Sequence, residues 1–176
     1  MGLEKQKARH AFGLQDLGLV EGPILRGAGT VLTLLNEVVA ASASCLLIFD
    51  DMSGTLVARM CHGHLFSRSK LPLSNSVASM IREDNNTYAT SDLARDFPGS
   101  VEAEHFDARA FMATPVYGPE TEPLGVLAAI NYGQHDWSRL EQDKLDSLAH
   151  LVSQEIVLRA SLETLRIMSK ERLRTV

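Results

Sequence analysis

The stretch AFMATPVYGPETEPLGVLAAI, residues 110–130, decides the fold. Two apolar runs, residues 110–116 and 124–130, enclose a segment that holds a glycine, two prolines and two glutamates. Apolar runs of strand length around such a segment predict an antiparallel hairpin. Pro115 lies inside the first run. Because proline has no N–H to donate, it predicts a sheet edge or a bulge at that point.

Downstream of the hairpin, Ser138-Arg139-Leu140-Glu141 matches a capping box, in which the serine and glutamate satisfy free backbone amides of a helix start. No glycine or proline follows before Val176, and leucines recur at helical spacing. The pattern predicts a helix of about 36 residues, roughly 55 Å long at 1.5 Å per residue. A compact domain of this size is only about 35–40 Å across. The helix is therefore predicted to project beyond it.

The chain upstream of the hairpin predicts further helices and strands. Residues 24–41 carry apolar side chains at three- and four-residue steps, which predicts a helix with one buried stripe. Residues 45–49, CLLIF, form an unbroken apolar run, which predicts a strand covered on both faces, followed by a tight turn and a second strand over 55–61. The remaining predictions are a weakly amphipathic helix over 3–16, a turn-rich loop over 62–75, a short helix over 76–83, a short strand over 87–90, and a turn with a short helix within 91–107.

Composition bounds the class of protein. The 176 residues are 45% hydrophobic and 22% charged, which is the balance of one soluble domain with its own core. No apolar run approaches the ~20 residues of a membrane span, and residues 1–6 lack the apolar core of a signal peptide. With only Cys45 and Cys61, a disulfide framework is excluded and a cytoplasmic location is expected. The net charge of −5 argues against nucleic-acid binding, and the basic segment 159–176 is interpreted as a solvated helix end.

The order of these elements resembles a GAF domain, the small-molecule-binding and dimerisation module of bacterial signalling proteins. The passages that carry the resemblance are Leu-Gly-Leu-Val-Glu-Gly-Pro at 17–23, the strand ending in Asp50, Asp-Leu-Ala-Arg-Asp-Phe at 92–97, the hairpin at 111–127, and Trp137-Ser138 before the last helix. The resemblance implies an α+β fold with an antiparallel sheet of about six strands. It places the terminal helices on one face and a ligand pocket on the other, covered by residues 76–107.

Function follows from the same resemblance as an expectation. It implies a lead-in over 1–22, a sensor domain over 23–160 and the end of a signalling helix over 161–176. The expected function is non-catalytic: binding a small molecule, mediating dimerisation, or both, in two-component or cyclic-dinucleotide signalling. Expected partners are a second copy of the chain and a histidine kinase, a cyclase or another output domain. The Asn-Lys-Phe-Asp-Glu signature of cyclic-nucleotide-binding members is absent, and no cysteine has the context of a bilin attachment site.

The candidate ligand-binding residues are apolar side chains that line a pocket and polar ones that orient a ligand. The apolar candidates are Met80, Phe97, Phe106, Phe111 and Met112, and the polar candidates are Arg95, His105 and Arg109. Ordinary core packing and a solvated loop are the alternative interpretation of the same residues.

The histidine and cysteine residues bear on two further chemistries. Cys61-His62-Gly63-His64, with His105 and His135, has residue types that bind metals or haem, but the spacing is cramped and no second pair matches it. No metal site, catalytic residue or cofactor is therefore predicted. A free methionine sulfoxide reductase shares the fold and uses closely set cysteines, so a thiol-dependent reductase working through Cys45 and Cys61 is an alternative. A ligand-free dimerisation module is another.

The last helix predicts a parallel homodimer. Its candidate interface residues recur at steps of seven, four, three and three; they are Leu151, Leu158, Leu162, Leu165 and Met168. A helix that projects past its domain has none of its own chain to cover such a stripe. Polar Gln154 and Ser161 weaken the heptad, so the helix predicted over 24–41 is expected to join the bundle.

Overall fold

The computed structural model describes residues 23–50, 53–66 and 69–174, so the helix predicted over 3–16 lies outside the described residues. The helices are α1 (Pro23–Val38), α2 (Val77–Asp84), α3 (Leu93–Asp96), α4 (Val101–Phe106) and α5 (Arg139–Arg174). The strands are β1 (Ala43–Phe49), β2 (Ser53–Cys61), β3 (His64–Phe66), β4 (Ser69–Pro72), β5 (Tyr88–Thr90), β6 (Ala110–Tyr117) and β7 (Pro123–Asn131).

The strands form one antiparallel sheet in the order β3-β2-β1-β7-β6-β5, with β4 also paired to β2. The two predicted hairpins, β1–β2 and β6–β7, meet at the β1–β7 pair in the middle of the sheet. The predicted α+β fold with an antiparallel sheet is confirmed. The loop predicted over 62–75 is wrong in part, because this segment contributes β3 and β4. These strands are only three and four residues long, too short for an alternation of apolar and polar residues to be recognised in the sequence.

The sheet is covered on both faces, and successive residues of a strand point to opposite faces. On β1, Leu46 and Ile48 join the core under α1 and α5, whereas Cys45 and Leu47 join the core under α2 and α4. Six of the seven β1 residues are consequently buried, as the unbroken apolar run predicted. Below, the two sides are called the helix face and the pocket face of the sheet.

Helices α1 and α5 pack side by side on the helix face. The Lys144 ammonium donates to the Val38 carbonyl at the end of α1, over 2.8 Å. The predicted capping box starts α5: the Ser138 N–H donates to the Glu141 carboxylate at 2.8 Å, and the Glu141 N–H donates to Ser138 Oγ at 3.2 Å. Helix α5 has the 36 residues that the sequence predicted. Beyond Ala160, none of its described side chains is buried.

Pro115 lies in the part of β6 that is paired with a strand on one side only. Strand β5 pairs only with Phe111–Ala113 of β6, so β6 has β7 alone as its partner at Pro115. The pairing of β6 with β7 also changes register between Val116 and Tyr117. The prediction of an edge or bulge at this proline is confirmed.

Candidate functional site

A cavity lies between the pocket face of the sheet and the covering segment that contains α2 and α4. Its volume is about 10 Å³, room for about one water molecule, whereas sites for drug-sized ligands span roughly 300–1,000 Å³. The cavity is therefore too small to hold such a ligand in this structure. Its lining is mainly apolar: Cys45, Leu47, Leu71, Pro72, Leu73, Ser76, Ala78, Val101, Glu102, Phe106, Phe111, Val126 and Ala128.

Two of the apolar candidates line this cavity, namely Phe106 and Phe111. Met80 and Phe97 are half-buried and pack against the same core. Met112 lies on the helix face instead, so its assignment to the pocket is wrong. The reason is the period of a strand: Phe111 and Met112 are neighbours on β6, and only one of them can face the pocket.

The three polar candidates lie on the surface. The Arg95 guanidinium donates to Asp96 at 2.7 Å, and this hydrogen bond, with one from Thr90, lowers the pKa of Asp96 to about 2. Arg109 pairs with Asp92 at 3.5 Å. The His105 ring stands edge-on against Phe106, with ring centres 5.2 Å apart. None of the three lines the cavity described above, so their role toward a ligand stays a prediction.

Glu102 is the buried carboxylate of the cavity wall, only 4% exposed. It accepts hydrogen bonds from the backbone N–H groups of Val77 and Ala78, each at 3.0 Å. These amides belong to the first turn of α2, which lacks partners within its own helix. Burial raises the pKa of Glu102 above its ordinary value, and the backbone hydrogen bonds oppose that rise. Glu102 thereby fastens α4 to α2 across the cavity.

A polar group on the pocket face consists of Arg59, Cys61 and Tyr132, called the Arg59 cluster below; of the three, only Cys61 was a candidate from the sequence. Tyr132 Oη lies 2.9 Å from Cys61 Sγ and 3.4 Å from Arg59 Nη2. The Arg59 guanidinium carbon lies 5.1 Å from the centre of the Phe106 ring, a cation–π contact. Arg59 Nε is buried and has no hydrogen-bond partner among the described residues. The available signal was a charged residue inside the apolar strand LVARMC.

The two cysteines sit on neighbouring strands of the pocket face. Cys45 lies opposite Arg59 and Cys61 opposite Ala43, so the cysteines are diagonal neighbours, roughly 7–8 Å apart at Cα. Both thiols are free. Burial raises the pKa of Cys45 to about 12, with Arg59 lowering it and Glu102 raising it further. Cys45 is therefore a thiol and not a thiolate at neutral pH.

Neither a metal site nor a membrane span emerges from the part of the chain that the structure describes. Over residues 23–50, 53–66 and 69–174, no three His, Cys, Asp or Glu side chains converge as metal ligands. None of the described helices combines the length and apolar character needed to cross a bilayer.

Helix α5 carries a second apolar face. The five predicted interface residues, Leu151, Leu158, Leu162, Leu165 and Met168, are between 47% and 60% exposed. At 3.6 residues per turn, the four leucines lie roughly 140° around the helix axis from the residues that face the core, such as Leu145, Val152 and Ile156. This leucine stripe is thus separate from the face that packs on the sheet.

An antiparallel sheet with long helices on one face and a covered cavity on the other defines an α+β domain. A protein-family model described as "GAF domain" matches residues 26–156, most of the chain. The chain belongs to the GAF domain family, whose members are typically sensory or regulatory. Among curated proteins, none matches this sequence.

Solved structures with this fold differ in activity. A free methionine-R-sulfoxide reductase from Neisseria meningitidis, in complex with its substrate, is similar over 85% of this chain and 87% of its own, with a TM-score of 0.65 and 15% identity. The GAF domain of a phosphoenolpyruvate-protein phosphotransferase from Coxiella burnetii is similar over 81% of this chain and 91% of its own, with a TM-score of 0.63 and 20% identity. A red/green cyanobacteriochrome in its red-light-absorbing state is similar over 82% of this chain and 98% of its own, with a TM-score of 0.62 and 17% identity. These likenesses establish the fold alone.

Proposed function

We propose that this chain is a non-catalytic sensor module that binds a small molecule between the pocket face and residues 76–107. The observation that carries the proposal is the unequal covering of the two sheet faces. One face holds two long helices, whereas the other holds helices of eight, four and six residues over a mainly apolar cavity. Short helices joined by turns can open locally at a lower free-energy cost than unfolding of the whole domain, which would admit a ligand.

The proposal has a direct test in two measurements. Native mass spectrometry of the freshly purified chain reports any retained ligand, metal and oligomeric state together. Once a ligand is confirmed, hydrogen exchange with and without it should reveal protection in residues 76–107 and in β6. Protection confined to α1 and α5 would refute the binding place.

A ligand-free dimerisation module is the second candidate, and the small cavity volume of about 10 Å³ favours it. The two candidates separate on one observation. A sensor gains volume in the cavity when its ligand binds, whereas a ligand-free module keeps α2 and α4 packed under every condition. Hydrogen exchange of α2 and α4 across a library of small metabolites discriminates them, because only the sensor acquires slower exchange with one compound.

A thiol-dependent reductase finds less support in the site. Its chemistry needs an attacking thiolate and a resolving thiol within exchange distance. The raised pKa of Cys45 leaves it protonated, and the diagonal placement of Cys45 and Cys61 is long for a disulfide, whose Cα atoms usually lie about 5.5–6 Å apart. We expect no reductant-dependent turnover of free methionine sulfoxide. Turnover that disappears in Cys45→Ser or Cys61→Ser would overturn the non-catalytic proposal.

A parallel homodimer through the leucine stripe is part of the proposal. A second copy is the occupant that fits, because Leu151, Leu158 and Leu165 repeat every seven residues, and a two-fold axis brings identical stripes together. Leu34 on α1, itself 44% exposed, adds apolar surface on the neighbouring helix. In this scheme residues 23–160 sense and residues 161–176 transmit, to a histidine kinase, a cyclase or another output domain in the cytoplasm.

A further inference from the structure

Arg59 offers a buried hydrogen-bond donor that none of the described residues uses. Its Nε is buried and unpartnered among the described residues, and Nη2 makes only a long bond of 3.4 Å to Tyr132 Oη. Over the described ranges, no carboxylate lies within ion-pair distance of the guanidinium. Nε and Nη2 form one edge of the planar fork, and this edge matches the two oxygens of a carboxylate. A buried donor without a partner is costly to keep unless something binds it, and Nε is such a donor.

The position of Arg59 connects this donor edge to the cavity. Arg59 faces Cys45 across the β1–β2 pair, and Cys45 lines the cavity. Phe106 links Arg59 to the cavity, because Phe106 is one of the lining residues and its ring centre lies 5.1 Å from the guanidinium carbon. A ligand whose apolar body enters the cavity would therefore have its end at Arg59 once the Phe106 ring moves aside.

We propose that the ligand is a small organic monocarboxylate with an apolar body, its carboxylate held by Arg59 and Tyr132 and its body by the cavity. The proposal rests on the sensor function and names the chemical class of ligand. One guanidinium supplies one positive charge, while Tyr132 and Cys61 supply neutral polar groups. The buried carboxylate of Glu102 in the cavity wall disfavours a second negative charge. A monoanion thus fits better than a phosphate or a dicarboxylate.

The test uses three probes that separate charge from shape. Benzoate has both the carboxylate and an apolar ring, benzamide keeps the shape without the charge, and acetate keeps the charge without the ring. NMR of the wild-type chain follows the arginine side-chain Nε–H signals and the methyl signals of Leu47 and Val126 in the cavity. We expect benzoate at millimolar concentration to move the Arg59 Nε–H signal downfield in a saturable way, together with the methyl signals. Benzamide and acetate should do so much more weakly.

Variants then assign the effect to Arg59. Arg59→Met keeps an unbranched apolar stem, and we expect it to weaken benzoate binding by at least about tenfold, the loss expected for one charge-assisted contact. Arg59→Lys keeps the charge but loses the fork, and should also weaken binding. Arg82→Met is the matched control, because Arg82 also lies over an aromatic ring, 5.3 Å from the centre of Phe49, and away from the cavity lining. It should leave benzoate affinity unchanged.

The outcomes also separate this inference from the sensor function. Equal binding of benzoate and benzamide, with the Arg59 signal unmoved, overturns the carboxylate proposal and leaves the sensor function standing. A lack of any response to all three probes overturns the carboxylate proposal as well, and native mass spectrometry still decides independently whether the chain retains a ligand. If Arg59→Met fails to fold, the wild-type Nε–H signal alone decides.

Discussion

The carboxylate of Glu102 accepts a 3.0 Å hydrogen bond from the backbone N–H of Ala78. One short helix of the covering segment thereby caps another, and the neighbouring N–H of Val77 is satisfied by the same carboxylate. Neither α2 nor α4 is long enough to be stable alone, since isolated helices below about 12 residues are marginal in water. The covering segment is consequently held by a few specific contacts.

Glu102→Ala should destabilise the fold by about 2 kcal/mol or more, because it leaves two buried amides without acceptors. Urea unfolding followed by circular dichroism measures the loss. Glu104→Ala, on the exposed side of the same helix α4, is the matched control and should change stability by less than about 0.5 kcal/mol. Equal effects from the two variants would mean that the Glu102 cap contributes nothing of its own.

The raised pKa of Glu102 predicts a pH dependence of known sign. A carboxyl whose pKa is higher in the folded than in the unfolded chain binds its proton more tightly when folded. Its stabilising contribution is therefore complete below the unfolded pKa, near 4.5, and is lost as pH rises through the folded pKa. We expect the free energy of unfolding of the wild type, relative to Glu102→Gln, to fall as pH rises above 4.5. A relative stability that grows with pH would mean that the N–H bonds outweigh burial.

The two thiols should differ in reactivity. Cys45 is buried with a pKa of about 12, so it should be alkylated by iodoacetamide only when the fold opens. Cys61 is partly accessible and should react first. Peptide mass spectrometry after timed alkylation distinguishes them, and the denatured chain, in which both react alike, is the control. Alkylation of Cys45 at the rate of Cys61 would revive the reductase alternative.

Replacing Leu158 and Leu165 by Asp together should convert a dimer into a folded monomer. Each aspartate would place an unpaired charge in the proposed interface, at a cost of several kcal/mol. Sedimentation velocity measures the state, and circular dichroism checks the fold. Val157→Asp with Ile167→Asp is the control, because these exposed residues lie on other sides of the same helix. A wild-type chain that is monomeric at high micromolar concentration would contradict the dimer.

Gly125→Ala should be among the most damaging single substitutions in the sheet. A Cβ on Gly125 would lie 2.1 Å from the Leu47 carbonyl oxygen, and that oxygen belongs to β1, which is paired with a strand on each side. Overpacking of this kind costs about 3 kcal/mol. Thermal unfolding compares it with Gly133→Ala, where a Cβ meets no atom within 4 Å. A near-neutral Gly125→Ala would require β1 and β7 to separate locally.

Most of the fold could be predicted from local sequence patterns. The 110–130 hairpin, the capping box at Ser138 and the uninterrupted helix after it are all set by neighbours in sequence. Strands β3 and β4 were not predicted because they are held by pairing with β2, and each has too few residues to show a strand pattern. A strand of three residues has no periodicity to read.

The Arg59 cluster could not be predicted from the sequence for a different reason. Alternation alone puts Arg59 on the same face as Val57, which packs on the helix face. The bulge opposite Leu46 and Leu47 inserts one extra residue in β2, so Val57 and Ala58 share the helix face and Arg59 turns to the pocket face. Tyr132 follows the end of β7. It lies near Arg59 because of the registers in which β7, β1 and β2 pair, and a linear sequence does not show these registers.

The shortness of β3, β4 and β5 also governs how copies of this chain can associate. A long, straight outer strand invites pairing with another molecule and, in the end, aggregation. Here the outermost strands are three, four and three residues long. Where β6 extends past β5, Pro115 has no N–H, and the Tyr117 N–H donates a hydrogen bond to Ser153 Oγ at 2.9 Å. Over the described residues, the sheet therefore offers a neighbouring molecule little backbone to extend, so pairing between sheets is disfavoured as a way for copies to associate.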